Sequence, residues 1–426
     1  MLGNDRVART MLGVITLSSV GVGIHTLAMG QLLYGRTGSP AAFAFVLTLQ
    51  GVAALCVLPV CGPLVDALSS KWVYALCGLG RAGTVAVIVG AAALVPGAGA
   101  VPWIVAASAL LAVFDNVERS ALFKLTAHHV NPDHATRFNS LIGVAFQAGA
   151  LSGMALLGLI LTWGTASQAL VVDVLMSLCC ALTMSRIRLT ANEHNPPVSV
   201  RMMTRAVAGT LGEWRRMLIR HREDRTVFLM IVLCGGDFVF AQGLSTLVIP
   251  LTAEFHGGRG WYVAALEATF AVGMISASFL TRYLVSQRLL PVWLLGQAAA
   301  AVLLASSGTG AVHFGAFFLA GFANLNSLTW LLTSLQHYAA EGDKAKMASL
   351  RLLAIGLGTA ALMPVVGYFA ASSLGAGFWS VSATMTLFAL GGFVVARHHR
   401  PGTPPGPQTG TAREEAERSP ATAAAG

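Results

Sequence analysis

The sequence predicts an all-α integral membrane protein with twelve transmembrane helices, because of its hydropathy, its charge content and the positions of its basic residues. Of its 426 residues, 55% are hydrophobic and 11% are charged, and the mean hydropathy is +0.70. Soluble domains carry about 25% charged residues, so this chain has too few charges to cover a water-facing globule. The net charge of +9 is spread over many short connections, which excludes the folded basic face of a nucleic-acid-binding protein.

Twelve apolar runs are long enough to cross a bilayer, which takes roughly 20 residues in a helix. Their length and their lack of period-two alternation favour helices over the strands of a barrel. A long polar break after the sixth run divides them into six plus six. The runs lie at 10–33, 42–65, 72–94, 102–122, 139–163, 166–186, 227–250, 261–284, 290–309, 312–335, 347–370 and 376–396.

The basic residues fall almost entirely on alternate connections between these runs. The set that includes both termini holds 24 of the 27 Lys and Arg residues, the opposite set holds Arg36 and Arg259, and Arg81 lies inside the third run. Because Lys and Arg are retained on the cytoplasmic side, we expect both termini in the cytoplasm. The scarcity of lysine and the abundance of alanine are typical of GC-rich bacterial genomes, so we expect a multi-pass protein of a bacterial inner membrane.

The polar break and the last residues complete the predicted domain organisation. We expect an N-terminal six-helix bundle at 1–186, a cytoplasmic linker at 187–226, a C-terminal six-helix bundle at 227–397 and a disordered tail at 398–426. Within the linker, apolar residues at helical spacing lie opposite a row of arginines, which predicts an interfacial amphipathic helix. Those apolar residues are Met203, Val207, Leu211, Trp214 and Leu218.

The segment between the second and third runs, GPLVDALSSK, resembles the signature G-x-L-x-D-[RK]-x-G-[RK]-[RK] of the major facilitator superfamily. The residues in register are Gly62, Leu64, Asp66 and Lys71. A TGSP segment follows the first run and Arg81 lies in the third run, which is similar to the branch of the family that contains enterobactin exporters and macrolide efflux proteins. Two six-helix halves joined by a long cytoplasmic loop are also the layout of this family.

This resemblance implies a cytoplasmic gate. In the family, the aspartate of the signature pairs with an arginine at the cytoplasmic start of span eleven, and Asp66 and Arg351 occupy those places. Gly62 lets neighbouring helices approach closely, and Lys71 belongs to the same loop. A static salt bridge that fixes the helix ends is the alternative interpretation.

The resemblance also implies a central cavity lined by spans one, four, seven and ten. Interhelical hydrogen bonding explains the polar residues of these spans equally well. The cavity-lining candidates are Gln31, Gln242, Asn324 and Asn326. In span five, exporters of the family often carry close-packing glycines around a proline. Here the glycines are present as Gly149, Gly153 and Gly158, but Met154 stands where the proline is expected.

Ionisable residues inside a span are functional candidates, because an intramembrane charge costs at least about 2.5 kcal/mol on insertion scales. A proton-coupled transporter needs a group that changes its protonation as the cavity alternates between the two sides. Asp237 in span seven is our first candidate, followed by Glu267 in span eight and His25 in span one. For each, a paired or hydrogen-bonded structural role is the alternative.

Arg81 is expected to be paired, since an arginine cannot lose its charge by releasing a proton. Asp115 and Glu118 in span four and Asp173 in span six are the available partners, and together the four residues form a predicted intramembrane charge network. Contact with an anionic substrate is the alternative role of Arg81.

These observations predict a secondary active transporter. We expect proton-coupled efflux of a small amphipathic molecule, such as a siderophore, an antibiotic or another secondary metabolite, by alternating access. The chain carries no ATPase signature, so a gradient must supply the energy. We expect protons as the coupling ion, the lipid bilayer as environment, a monomer, and no enzymatic activity, cofactor, metal or nucleic acid. An uptake symporter is the alternative, because of Met154, and an integral-membrane receptor or a lipid flippase is a more distant one.

Overall fold

The protein is described here by a computed structural model, which covers residues 6–129, 132–187, 200–220, 225–338 and 344–398. In these ranges the chain forms thirteen α-helices and two short 3-10 turns, Gly97–Ala100 and Gln287–Leu289. The helices are α1 (Arg6–Thr37), α2 (Pro40–Ala67), α3 (Ser70–Leu94), α4 (Val101–His129), α5 (Pro132–Trp163), α6 (Ala166–Arg186), α7 (Val200–Arg220), α8 (Arg225–His256), α9 (Gly260–Leu284), α10 (Leu290–Ser306), α11 (Gly310–Tyr338), α12 (Lys344–Ser372) and α13 (Leu374–His398).

Each of the twelve apolar runs corresponds to one helix, and α7 lies between the sixth and the seventh. Eleven helices are long and apolar enough to cross a membrane. A shorter apolar helical stretch, Ala148–Trp163, lies in α5. The predicted all-helical membrane fold is therefore confirmed for the described ranges. The orientation of the termini stays a prediction.

Short capped turns set where the helices begin. Ser39 accepts a hydrogen bond from the backbone of α2, and Pro40 occupies the first turn of that helix, where no backbone donor is needed. Gly38 adopts a φ of +65°, which lets the chain reverse between α1 and α2. At α6, Thr165 and Gln168 form a reciprocal capping box.

The helices pack as two groups. Helices α1 to α6 contact mainly one another, as do α8 to α13, and we call these groups the first and second bundle. Most contacts between the bundles are made by two helix pairs, α2 with α12 and α5 with α9, and α8 also touches α1 and α2. On α2 and α12, small residues bring the backbones together, with Gly367 against Ala44 and Gly51 against Gly356. These contacts run from the start of α2 to its middle.

Helix α7 lies beside the opposite end of this seam and contacts both α2 and α12. The buried Trp214 donates a hydrogen bond from Nε1 to Ser349 Oγ, 3.0 Å away, at the start of α12. We call this end of the molecule the linker end, and the end with the α1–α2 and α8–α9 connections the far end. The predicted linker helix is present, although the side chains of Met203 and Leu218 and the tail beyond residue 398 lie outside the described residues.

Buried apolar side chains form two clusters of different extent. The larger runs through the second bundle and continues into the far-end part of the first, so the bundles share a core there. The smaller belongs to the first bundle alone and fills its linker end, from Met11 to Val65 and Leu125. In the part of the chain that the structure describes, the bundles are thus joined by a common core at the far end and not at the linker end.

Candidate functional site

A buried cluster around one arginine lies in the first bundle. Arg81 on α3 is 4% exposed, and its Nη1 donates to Ser18 Oγ on α1 at 3.0 Å. The same nitrogen lies 3.2 Å from Glu118 Oε2 on α4, and Nε lies 3.2 Å from Asp115 Oδ1. Ser18 in turn donates to Glu118 Oε1 at 3.2 Å. We call these four residues the arginine cluster.

The arginine cluster supplies carboxylates to a guanidinium that cannot lose its proton. A buried guanidinium stays protonated and needs a carboxylate partner, and Arg81 has two. Of the candidates named from the sequence, Asp115 and Glu118 contact Arg81, whereas Asp173 lies against His25 instead. The Asp115 side chain is 29% exposed, so one carboxylate of the cluster reaches the edge of the buried region.

A second buried cluster surrounds Asp237 on α8. Asp237 is 1% exposed, and its Oδ1 accepts hydrogen bonds from Gln297 Nε2 on α10 at 2.6 Å and from Ser327 Oγ on α11 at 2.8 Å. Asn324 Nδ2 donates to the backbone oxygen of Asp237 at 3.1 Å. Asp237 Oδ2 is buried without a hydrogen-bond partner, and among the described residues no basic side chain lies within ion-pair distance. We call this group the aspartate cluster.

The two clusters occupy equivalent places in the two bundles. The arginine cluster uses the first, third and fourth helices of its bundle, and the aspartate cluster uses the first, third and fourth helices of the other. Three pairs of residues even share their position counted from the start of the helix. The pairs are Ser18 and Asp237, Asp115 and Asn324, and Glu118 and Ser327.

The other two coupling candidates have one polar neighbour each. Glu267 on α9 is buried, and its Oε1 accepts a hydrogen bond from Ser245 Oγ at 3.3 Å. His25 on α1 faces Asp173 on α6, with 3.6 Å between Nδ1 and Oδ2. The sequence names Asp173 as a partner of Arg81, but the structure pairs it with His25, because α6 packs on α1 at this level.

The predicted gate residues are apart in this structure. Asp66 is exposed at the end of α2 and forms no ion pair with Arg351, although the structure describes both residues. A Cβ added to Gly62 would meet nothing within 4 Å, so the close helix approach that we expect there is not made in this arrangement. Both observations agree with bundles that lack a common core at the linker end.

A lysine that the signature does not include holds the end of α2. Lys124 on α4 is buried, and its Nζ donates to the carbonyl oxygens of Val65 at 3.0 Å and Leu68 at 2.9 Å. Lys71, from the signature loop, donates to the carbonyl oxygen of Ile187 just after α6, at 2.8 Å. Ammonium groups at helix C-termini satisfy free carbonyls and complement the helix dipole, so both lysines fix helix ends.

The cavity-lining candidates differ in how many hydrogen bonds their side chains form within the protein. Asn324 belongs to the aspartate cluster, and Asn326 donates to Phe322 O of its own helix at 2.9 Å. Gln31 and Gln242 are partly exposed, and Gln242 Oε1 is buried without a partner. Among the described residues, Gln242 and Gln31 are therefore the candidates whose side chains are least used in hydrogen bonds within the protein.

The span-five glycines serve two different contacts. Gly149 and Gly153 lie against α1, where an added Cβ on Gly149 would come within 2.6 Å of Thr16 O and one on Gly153 would collide with the Val20 carbonyl. Gly158 instead lies against Ala264 of α9 in the second bundle. Two of the glycines thus pack the first bundle, and the third packs the bundles together.

Two histidines at the far end form a pair that the sequence does not suggest. His256 Nε2 at the end of α8 lies 3.0 Å from His313 Nδ1 on α11, and His313 Nε2 lies 2.8 Å from Ser307 O. A carbonyl only accepts, so His313 Nε2 carries a proton, and in a neutral His313 ring the proton between the rings must come from His256. His256 also stacks on Tyr262, with ring centroids 3.7 Å apart. No local motif links these residues.

Comparison with known proteins identifies the family. A sequence profile described as Major Facilitator Superfamily matches residues 11–350. The chain belongs to the major facilitator superfamily. No curated protein sequence matches this superfamily member significantly. The finer resemblance to the enterobactin-exporter and macrolide-efflux branch stays a prediction.

Solved transporters share the fold of this superfamily member at low sequence identity. The nucleoside transporter NupG matches with a TM-score of 0.65 at 15% identity, over 92% of this chain and 98% of that one. A peptide transporter, POT, in complex with sulfate matches with a TM-score of 0.70 at 12% identity, over 92% and 94%. A bacterial homologue of the human lysosomal transporter Spinster, inward-facing and occupied, matches with a TM-score of 0.68 at 11% identity, over 93% and 96%. These likenesses show the fold alone.

Proposed function

We propose that this superfamily member is a proton-coupled exporter of a small amphipathic molecule, such as a siderophore, an antibiotic or another secondary metabolite. The two bundles would rock about a cavity near the middle of the membrane, so that the cavity opens to one side at a time. The protein would act as a monomer in a bacterial inner membrane with both termini in the cytoplasm, as the basic residues indicate.

The observation that carries the proposal is the lone carboxyl of Asp237. It is buried, accepts hydrogen bonds only from neutral donors, and leaves Oδ2 without a partner. An ionised carboxylate in such a place is very costly, so the group is expected to carry a proton while it stays buried. When the cavity opens and water reaches Asp237, the proton can leave. A group with these two states is what coupling to a proton gradient requires.

The gate belongs to the same cycle. Among the described residues, Asp66 and Arg351 do not pair with each other, and the bundles share a core only at the far end. In the proposed cycle this is the arrangement open at the linker end, which the basic residues assign to the cytoplasm. Closing that end would bring α2 and α12 together and allow Asp66 and Arg351 to pair. The lysines that cap α2 and α6 would keep those helix ends rigid during the motion.

Transport in membrane vesicles of both orientations tests the proposal. A panel that includes a catecholate siderophore, a macrolide and a nucleoside is offered to vesicles under an imposed pH gradient. We expect one member to accumulate in inverted vesicles that are acidic inside, and not without the gradient. Asp237→Asn should insert normally and exchange cargo downhill, but lose accumulation against a gradient. Asp237→Glu, which keeps the acid, is the matched control.

Two outcomes would overturn parts of the proposal. Uphill accumulation by Asp237→Asn would remove Asp237 from coupling, and the same assay on Glu267→Gln would then examine the second candidate. Accumulation in right-side-out vesicles that are acidic outside would mean proton-coupled uptake. The absence of the span-five proline, with Met154 in its place, favours this second function.

A further inference from the structure

The contact between α1 and α6 buries four polar atoms that lack a well-formed hydrogen bond. Asp173 is fully buried and His25 is nearly so. Neither ring nitrogen of His25 and neither carboxyl oxygen of Asp173 makes a well-formed hydrogen bond, although the Ser177 hydroxyl of α6 lies near the carboxyl, and 3.6 Å separates Nδ1 from Oδ2. Buried polar groups are normally satisfied, so this gap is an exception that calls for an explanation.

The chain makes room for this pair. An added Cβ on Gly21 would collide with Asp173 Oδ1, so the absence of a side chain there lets the carboxyl lie against α1. Opposite, α5 presents Ala150 and Gly153 to α1 and carries no titratable residue between 138 and 163. Small residues of α1 and α5 thus lie beside the pair, and Nδ1 of His25 faces Oδ2 of Asp173.

The charged groups around the pair carry a surplus of negative charge. Arg81 on α3 and Asp115 and Glu118 on α4 act electrostatically on Asp173, and Arg81 acts on His25 as well. The positive charge of Arg81 cancels one of the two carboxylate charges of Asp115 and Glu118, so one negative charge remains. An ionised Asp173 beside a neutral His25 would add a second. Net charge is costly in a dry interior. One proton on the pair, on either residue, lowers the surplus from two to one.

We propose that His25 and Asp173 together form a proton-binding site in the first bundle, separate from Asp237 in the second. One proton held between Nδ1 and Oδ2 provides the missing hydrogen bond and draws α1 and α6 together. The proton comes from water, no other bond is made or broken, and its release leaves an ionised carboxyl and a neutral ring. If the proposed transport function holds, each bundle then binds one proton per cycle.

The site is tested by counting protons rather than by transport. Purified full-length protein in lipid nanodiscs is titrated between about pH 8 and pH 5, the range in which a histidine–carboxylate pair can change its charge, and the protons taken up per protein are counted. We expect Asp173→Asn to take up one proton fewer than the wild type, and Asp173→Asn with Asp237→Asn two fewer. Thr26→Val is the matched control, because Thr26 lies next to His25 and bonds only to Val22 O of its own helix. It should leave the count unchanged.

If Asp173→Asn does not fold, the paired variant His25→Asn with Asp173→Asn replaces both groups by neutral ones that can still hydrogen-bond, and it should also lose one proton. An unchanged count in the folded variant overturns the proposed site. The count needs no cargo, so the two proposals fail separately. A loss of one proton with Asp173→Asn, together with uphill transport by Asp237→Asn, would keep this site and reject coupling through Asp237.

Discussion

The arginine and aspartate clusters lie at equivalent places in two related bundles, yet they are built for different charge states. In the arginine cluster a guanidinium that is always charged holds two carboxylates, and Ser18 forms hydrogen bonds with both Arg81 and Glu118. In the aspartate cluster one carboxyl takes the position of that serine, and neutral amide and hydroxyl groups take the positions of the ions. The same framework thus carries a fixed charge network in one half and a lone titratable acid in the other.

The difference indicates that the two clusters have different roles. Breaking a buried ion pair leaves an uncompensated charge, so the arginine cluster resists change and fixes α1, α3 and α4 to one another. A lone acid that accepts from neutral donors can change its protonation without breaking an ion pair. We therefore expect substitutions in the first cluster to act on folding, and substitutions in the second to act on coupling.

The largest effect is expected from Arg81→Gln. It leaves the buried Glu118 and the partly exposed Asp115 without their cation, and breaking a buried ion pair costs about 3–5 kcal/mol. We expect a collapse in the yield of monodisperse protein and a large fall in thermal stability in detergent. Asp237→Asn, the corresponding change in the other cluster, should leave both nearly unchanged.

A compensating variant sharpens this prediction. Arg81→Gln combined with Asp115→Asn and Glu118→Gln removes the charges together and should recover most of the lost stability. A stability equal to that of Arg81→Gln alone would mean that Arg81 matters through packing rather than through charge.

Features that depend on neighbouring residues in the sequence could be predicted, whereas contacts between residues that are remote in the sequence could not. The spans follow from local hydropathy, and the need of Arg81 for an acidic partner follows from the rule that a buried guanidinium needs an acid. The choice among Asp115, Glu118 and Asp173 does not follow from that rule. The donors to Asp237 could not be predicted, because Gln297 and Ser327 are remote in sequence and their register against α8 depends on packing. Lys124 was missed for the same reason, since nothing local relates a lysine on α4 to the end of α2.

Substitutions of two span-five glycines test packing within a bundle and packing between the bundles separately. Gly153→Leu would force a side chain into the α1 backbone, and overpacking of this kind costs about 1–3 kcal/mol. We expect it to lower thermal stability. Gly158→Leu lies at the α5–α9 seam and should slow transport more than it lowers stability, because in the proposed cycle the bundles move against each other there. Gly83→Leu, at an exposed position with open space around it, is the control for both.

A smaller effect is expected where the linker helix meets the second bundle. Trp214→Phe removes the donor to Ser349 Oγ but keeps an aromatic ring in the buried site, and a hydrogen bond contributes about 0.5–1.5 kcal/mol. Limited proteolysis should therefore cut the helix Val200–Arg220 several times faster. Ser349→Ala should do the same, and the effect of the double variant should fall short of the sum of the two single effects, because both remove the bond between Trp214 and Ser349. Additive effects would mean that the two residues stabilise α7 independently.

The smallest effect concerns the far-end histidines, and it depends on pH. The pair is held by one proton between His256 Nε2 and His313 Nδ1, and when both rings are charged both nitrogens are donors and the bond is lost. Acidification should therefore raise amide hydrogen exchange at the end of α8 by a few-fold, after correction for the intrinsic rate.

In His256→Phe the ring can still stack on Tyr262 but cannot donate, so exchange should be raised at neutral pH and change little on acidification. An equal response to acid in wild type and variant would assign the change to other groups. The aspartate cluster provides the contrast, because Asp237 is held by neutral donors on both neighbouring helices and should keep its place in either protonation state.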